Sequence, residues 1–346
     1  MTRRERTAQL PLPGDDLARV RERSEQPLRR LDGANVLITG ASGLVGSWML
    51  ETLLDAQHVF AMDVTATALV RNVTAFTDRY PHLAASPHLT IHEGDVRRFR
   101  IAGRQPTHVI HAASADSPER NASAPDDVID VIESGTEHVL GATASASRCL
   151  IVSSGSVYVP QVRPITEDDP TVDAGVSAAE RFGAAKRRAE RCAERATASR
   201  GVTIARVFTL VGPRLPLAGQ FAIGQFLDDA ISGRAVRVRG DGTPLRSYLY
   251  LADLAVWCWH LLDRGGEPRI YNVGASEALS VEVVARQVAA LGGVNVSIDA
   301  VPVPGARAAC YLPSVERARR ELGLEAWTSL DDGLARSWAW LESSAA

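Results

Sequence analysis

Short apolar runs bounded by glycine and small polar residues recur along the first two thirds of the chain, separated by longer stretches with helical spacing. Asn35-Val36-Leu37-Ile38 reads as a short buried strand that runs at once into Thr39-Gly40-Ala41-Ser42-Gly43-Leu44-Val45-Gly46. Trp48, Met49 and the leucines that follow then open an amphipathic helix. Further strands are predicted over 89–92, 109–111, 150–152 and 202–208, with long helices over 126–147 and 178–199. The second strand has two candidates: 58–63, ending in the acid Asp63, and 65–70, followed by Arg71-Asn72. Strands alternating with helices from 35 to 210 predict the α/β class, with a Rossmann-type, doubly wound parallel sheet.

The pattern changes on either side of this stretch. Residues 1–13 are polar and proline-punctuated, a tail leading into a helix that runs to Arg30. Asp15 or Asp16 would cap that helix, which would lay Leu17, Val20 and Leu28 on the outside of the main domain. Beyond Gly212-Pro213, turn-rich pieces alternate with helices over 221–232, 253–262, 281–291 and 315–322. The division predicted is therefore an N-terminal helical extension (1–33), a dinucleotide-binding domain (34–211) and a smaller C-terminal substrate-binding region (212–346).

Composition narrows the function classes. The chain has 346 residues, 45% hydrophobic and 23% charged, with a net charge of −3, as ordinary globular proteins do. It has no basic stripe with interleaved aromatics, so no nucleic-acid partner is expected. It has no apolar run of membrane-spanning length, and its first thirty residues are charged rather than signal-like. These features predict a cytoplasmic protein with no membrane partner. Cys149, Cys192, Cys258 and Cys310 lie far apart without metal-ligand spacing, so no metal site is expected and the thiols read as buried.

The glycine turn carries the clearest chemistry. Gly40 permits the tight turn, Gly43 lets the backbone approach a ligand, and Gly46 allows close packing of helix on strand. The helix start then offers free N–H groups and a positive dipole end to a pyrophosphate. An acid at the end of the second strand favours NAD, whereas a basic residue there suits the 2′-phosphate of NADP. Ala112-Ala113-Ser114, after the fourth strand, are small enough for a flat ring and ribose to lie against the backbone. The fifth strand delivers Ser153-Ser154-Gly155-Ser156 to the carboxyl edge of the sheet, where ligands bind in folds of this kind.

With these landmarks together, the chain resembles the extended short-chain dehydrogenase/reductases, in the NAD-dependent epimerase/dehydratase group that acts on nucleotide sugars. The matching stretches are TGASGLVG (39–46), GDV (94–96), HAAS (111–114), SSGSVY (153–158), a lysine motif at 182–186, RVFTLVGPR (206–214) and RSYLYLADLA (246–255). The resemblance is strongest to a bacterial sugar-pathway branch with an LxRN-like strand end, here Leu69-Val70-Arg71-Asn72, which favours 65–70 as the second strand. It implies NAD or NADP as cofactor. The cofactor contacts carried over are Gly40, Ser42, Gly43, Leu44, Val45, Arg71, Asn72, Asp95, Val96, Ala112, Ala113, Ser114 and Lys186. It also implies a nucleotide-diphosphate sugar as substrate and a homodimer built through two helices per subunit.

The family's chemistry uses a serine, a tyrosine and a lysine, and the resemblance places them at Ser154, position 182 and Lys186. The tyrosine exchanges the hydroxyl proton, the lysine lowers its pKa and holds the nicotinamide ribose, and the serine bonds the same substrate oxygen. Position 182 is Phe182, which has no proton to exchange, although Gly183-Ala184-Ala185-Lys186 keeps the rest of the motif. Three explanations follow: a tyrosine replaced to trap the enzyme, a natural variant recruiting another acid or a path through Ser154 and water, or a binding protein without catalysis. Gly155 and Ser156 stand where the family's dehydratases and decarboxylases carry an acid, so elimination lacks its usual proton carrier. C4 epimerisation or 4-ketone reduction is therefore the favoured reaction, with a dehydratase or decarboxylase using another acid as an alternative. Arg246 corresponds to the arginine that grips the substrate diphosphate. Arg214 and Phe221, with Ser154, Gly155 and Ser156, are expected to line the sugar–nucleotide pocket. His111 reads as a satisfied strand-end histidine, Glu167-Asp168-Asp169 as a solvated acidic loop, and Trp257 and Trp259 as core.

Overall fold

A computed structural model describes residues 10–101, 103–114, 123–196, 200–219, 221–265, 269–305 and 307–343. Seven parallel strands form the central sheet: β1 (Asn35–Thr39), β2 (Thr65–Val70), β3 (Leu89–Glu93), β4 (His108–His111), β5 (Arg148–Ser154), β6 (Gly201–Val207) and β7 (Arg269–Val273). Their order across the sheet is β7-β6-β5-β4-β1-β2-β3. The chain steps outward from β1 on one side and from β4 on the other, so a crevice opens at the carboxyl ends between β1 and β4.

The core follows from strand periodicity, because successive side chains point to opposite faces. Val36, Ile38 and Leu150 join one apolar layer with Trp48, Met49, Leu50, Trp257 and Trp259, all essentially inaccessible. Leu37, Val109, Cys149 and Ile151 face a second layer with Val139 and Leu140. Strands buried on both faces must be apolar throughout, which is why β1 reads as one continuous run. The helix Leu44–Phe60 packs on the first face, and the helices Pro125–Ala142 and Ala178–Arg195 pack on each other on the second.

The second strand is Thr65–Val70, paired in register with β1 from Asn35↔Thr65 to Thr39↔Leu69. The alternative 58–63 belongs to the end of the preceding helix, which runs to Phe60, and to the turn after it. The helix expected over 178–199 ends at Arg195, and 197–199 lie outside the described residues. Several elements carried no clear sequence signal, two in particular. One is β7, which comes from beyond residue 211 and pairs in parallel with β6 from Thr203↔Arg269 to Val207↔Val273. The other is the terminal helix Leu330–Ser343.

The N-terminal extension forms helices Gly14–Arg23 and Glu25–Arg29. Neither aspartate caps the first of them; Pro13 holds the cap position and no side chain bonds there. Asp16 is instead fully buried and accepts a 2.6 Å hydrogen bond from the Tyr250 hydroxyl. Leu12 N–H donates to Glu51 Oε1 at 2.7 Å, tying the extension to the helix after the glycine turn. Among the described residues no helix is long and apolar enough to cross a membrane.

Candidate active site

A cleft of about 1390 Å³ opens along the carboxyl ends of the strands, with the glycine turn at one end and Arg246 and Tyr311 at the other. Gly40 adopts φ +67°, and a Cβ there would stand 2.7 Å from the Ala112 carbonyl carbon and the Ala113 nitrogen. Only glycine lets β1 and the loop after β4 approach this closely. Gly43 occupies the cap of the helix Leu44–Phe60 and no side chain bonds there, so first-turn N–H groups are left for a ligand. A backbone cradle closed to any Cβ, at a positive helix end, fits a dinucleotide diphosphate.

Ser42, Leu44, Val45, Val96, Ala112, Ala113 and Ser114 all border this cleft. Arg71 borders it too, just past β2, with Arg79 nearby on the same wall. Asn72 does not border it. Its side chain accepts from Ala75 N–H at 2.8 Å and caps the helix Val73–Arg79. Asp95 pairs with Arg97 at 2.6 Å, and that hydrogen-bonded pairing holds its carboxyl down to about 2. Arg97 also reaches Asp127 at 2.8 Å and Asp130 at 2.7 Å, joining the end of β3 to the helix Pro125–Ala142. His111 bonds Thr39 Oγ1 at 2.7 Å and Thr136 Oγ1 at 3.0 Å, and burial pushes its pKa down to about 3. A histidine held neutral between two hydroxyls is a structural link, as the sequence indicated.

The part of the cleft around Ser154 is built from β5 and the helix Ala178–Arg195. Ser177 caps that helix reciprocally with Glu180, which fixes its first turn. One turn further on, Phe182 and Lys186 face the cleft from the same side. Lys186 is nearly buried, donates from Nζ to the Val152 carbonyl at 3.2 Å, and lies 5.8 Å from the centre of the Phe182 ring. It is also the only lysine in the sequence, every other basic side chain apart from histidine being arginine. Ser154 ends β5, and its Oγ accepts from Ser156 N–H at 3.1 Å and Ser156 Oγ at 2.9 Å. Gly155 is buried behind it. Phe182 packs at the edge of a small apolar group with Val128, Ile132, Ala185 and Ala189.

Beneath the serines lies a fully buried polar frame that sequence reading did not detect. Ser153 Oγ donates to Glu190 at 2.5 Å, and Arg206 grips the same carboxylate at 2.7 and 3.0 Å. Arg206 continues to the Tyr158 hydroxyl at 2.7 Å, which donates to Asn272 at 2.7 Å. This chain joins β5, β6, β7 and the helix that carries Lys186, so the serine and lysine are set on one rigid block. Glu167 belongs to the same frame, accepting from Asn272 N–H at 2.9 Å, whereas its neighbour Asp168 is exposed as expected of a solvated loop.

Two substrate-side arginines part company. Arg246, in the short strand Leu245–Arg246, borders the cleft with its guanidinium 5.4 Å from the Tyr311 ring centre. Arg214 also borders the cleft, and its buried guanidinium gives one nitrogen, Nη2, to Glu51 at 2.5 Å and to the Leu10 carbonyl at 2.9 Å. It anchors the N-terminal extension while lining the cleft wall, and its Nε and Nη1 have no hydrogen-bond partner among the described residues. Phe221 borders the cleft at the start of the helix Ala222–Ile231. Tyr311 was missed because its strand, Cys310–Tyr311, spans two residues and leaves no periodicity.

The sequence and the fold have counterparts among known proteins. The family description "NAD dependent epimerase/dehydratase family" matches residues 36–274. Among curated relatives, the dTDP-glucose 4,6-dehydratase of Streptomyces griseus is 28% identical over 322 residues, covering 88% of this chain and 93% of that protein. UDP-glucuronic acid decarboxylase 1 of Danio rerio is 25% identical over 315 residues, covering 90% and 73% respectively. Among solved structures, the UDP-glucose 4-epimerase of Thermotoga maritima aligns with a TM-score of 0.74 at 17% identity, covering 90% of this chain and 100% of that one. MoeE5 in complex with UDP-glucose and NAD aligns at 0.72 and 24% identity, with the same coverage. By sequence and by fold, the chain belongs to the NAD-dependent epimerase/dehydratase family.

Proposed function

We propose that this chain is a nucleotide-sugar oxidoreductase working at C4, as an epimerase or 4-ketoreductase with bound NAD(P). The observation that carries the reading is the sole lysine of the chain, buried against Val152 and sharing the cleft with Ser154. Arginine serves at every other basic, non-histidine position. A planar, permanently charged guanidinium cannot replace a compact ammonium that holds ribose hydroxyls and tunes a nearby proton.

In this reading the amides after Gly43 hold the dinucleotide diphosphate, Arg71 meets the adenosine end, and Lys186 holds the nicotinamide ribose. The bound dinucleotide supplies the acceptor and donor for hydride at C4. Ser154 holds the substrate oxygen in place, with its Oγ oriented by the two donors from Ser156. Arg246 holds the diphosphate of the nucleotide sugar through its planar fork. The relatives named above include a decarboxylase and a dehydratase, but Gly155 and Ser156 offer no carboxyl for elimination, which favours plain hydride and proton exchange.

The test is turnover with a panel of UDP- and dTDP-sugars and NAD or NADP, read by nicotinamide absorbance and product NMR. Epimerised or 4-keto sugar is the expected product; bound cofactor and sugar without any product would sink the enzyme reading. Phe182 favours a second reading, a silent nucleotide-sugar-binding protein. Phe182→Tyr separates the two: activity only in the tyrosine form means that the chain as it stands binds without turning over.

A further inference from the structure

We infer that Tyr311 supplies the proton-bearing phenol that position 182 lacks, passing its proton to the substrate oxygen through Ser154. This rests on the C4 oxidoreductase reading above.

Phe182 is inert, and among the described residues two phenols, Tyr248 and Tyr311, border the cleft. Tyr311 is the one set beside the serine: a Cβ on Gly155, the residue after Ser154, would stand 2.7 Å from its phenol oxygen. Its place is enforced from three sides. The strand Cys310–Tyr311 pairs in parallel with Leu245–Arg246, which sets the ring beside Arg246. The ring packs on Phe208 with centres 4.8 Å apart. The phenol oxygen occupies the space a side chain at 155 would take, since a Cβ there would stand 2.7 Å from it. Glycine at 155 therefore makes room for this hydroxyl immediately beside Ser154.

Ser156 donates to Ser154, and the Tyr311 phenol stands beside them, so three hydroxyls lie together and their rotors can carry protons either way. Burial pushes the Tyr311 phenol up to about 12, against smaller lowering influences from Ser154 and Arg246, so at neutral pH it holds its proton and acts as an acid. In the reductive direction, a bound reduced dinucleotide would supply the hydride, with both electrons, to C4 of a keto sugar. The carbonyl oxygen takes the Ser154 proton as that O–H bond breaks, and the Tyr311 proton moves onto Ser154 Oγ. The phenolate left beside the Arg246 guanidinium regains a proton from solvent, or from the substrate hydroxyl when the direction reverses. The Arg246 charge stabilises that phenolate.

The experiment compares the full chain with its Tyr311→Phe, Ser154→Ala, Phe182→Tyr and Tyr311→Phe/Phe182→Tyr variants, using UDP-glucose and dTDP-glucose with NAD. Tyr311→Phe is expected to lower kcat about 100-fold with KM little changed, as loss of a general acid does. The double variant, with a phenol restored at 182, is expected to recover to within about tenfold, a rescue that a packing role for Tyr311 would not give. A readout without turnover uses protein labelled with carbon-13 at tyrosine Cζ. The signal missing from Tyr311→Phe should shift in Ser154→Ala. Equal kcat in the parent and Tyr311→Phe overturns the relay, and so does an unmoved Cζ signal. A parent that binds UDP-glucose by calorimetry but turns over only as Phe182→Tyr overturns the relay and leaves the nucleotide-sugar reading standing. Failure to bind both NAD and either sugar nucleotide overturns both.

Discussion

Lys186 donates from Nζ to the backbone carbonyl of Val152 at 3.2 Å, which pins the chain's only lysine at the carboxyl end of β5. An amine-selective reagent should therefore modify Lys186 as the single side-chain target, slowly because the residue is nearly buried. Saturating NAD should protect it, with peptide mass spectrometry as the measure. Lys186→Arg should lower turnover by about 100-fold or more, since the guanidinium is too broad and too basic for the role. Labelling that NAD does not slow would remove Lys186 from the cofactor site.

Gly40→Ala should abolish dinucleotide binding. The substitution sets a Cβ 2.7 Å from the Ala112 backbone at φ +67°, a combination costing about 2–4 kcal/mol. Calorimetric titration with NAD and a urea melt would measure both effects. Unchanged affinity would show that the turn does not meet the cofactor.

Glu190→Gln should destabilise the chain by about 3 kcal/mol, because the Arg206 charge stays buried with half its compensation gone. Glu190→Gln/Arg206→Met should recover part of that loss in urea unfolding. An additive double variant would mean that the pair is not coupled.

Asp16 gives a pH signature. Burial raises its carboxyl from 3.8 to about 6, outweighing the hydrogen bond from Tyr250. The folded chain therefore keeps a proton that the unfolded chain has already lost. The associated stability is full below about pH 4 and disappears as pH rises through about 6, a swing on the order of 2–3 kcal/mol. Asp16→Asn, uncharged throughout, should flatten this part of the stability–pH curve, as read from thermal midpoints. A parallel slope in the variant would contradict the assignment.

The fold was legible wherever local chemistry and tertiary packing agree. The run Val36–Ile38 is apolar because β1 is buried on both faces, and Gly40, Gly43 and Gly46 announce a turn that only glycine can make. Ser154, Phe182 and Lys186 were readable because they sit on long regular elements at fixed spacing. Tyr311 and Glu190 were not, since what they meet lies more than thirty residues away, Gly155 and Ser153. The Arg214 partner was hidden for a related reason: its position in a family-like stretch says nothing of the Glu51 carboxylate it meets.

The strand Arg269–Val273 closes the outer edge of β6 from far along the chain. During synthesis, the nucleotide-binding half therefore leaves the ribosome with one sheet edge unpaired, until more than fifty further residues have followed. A chain cut after Val211 keeps that edge open, with Val202 and Ile204 beside it, and should clump rather than yield a free-standing cofactor module.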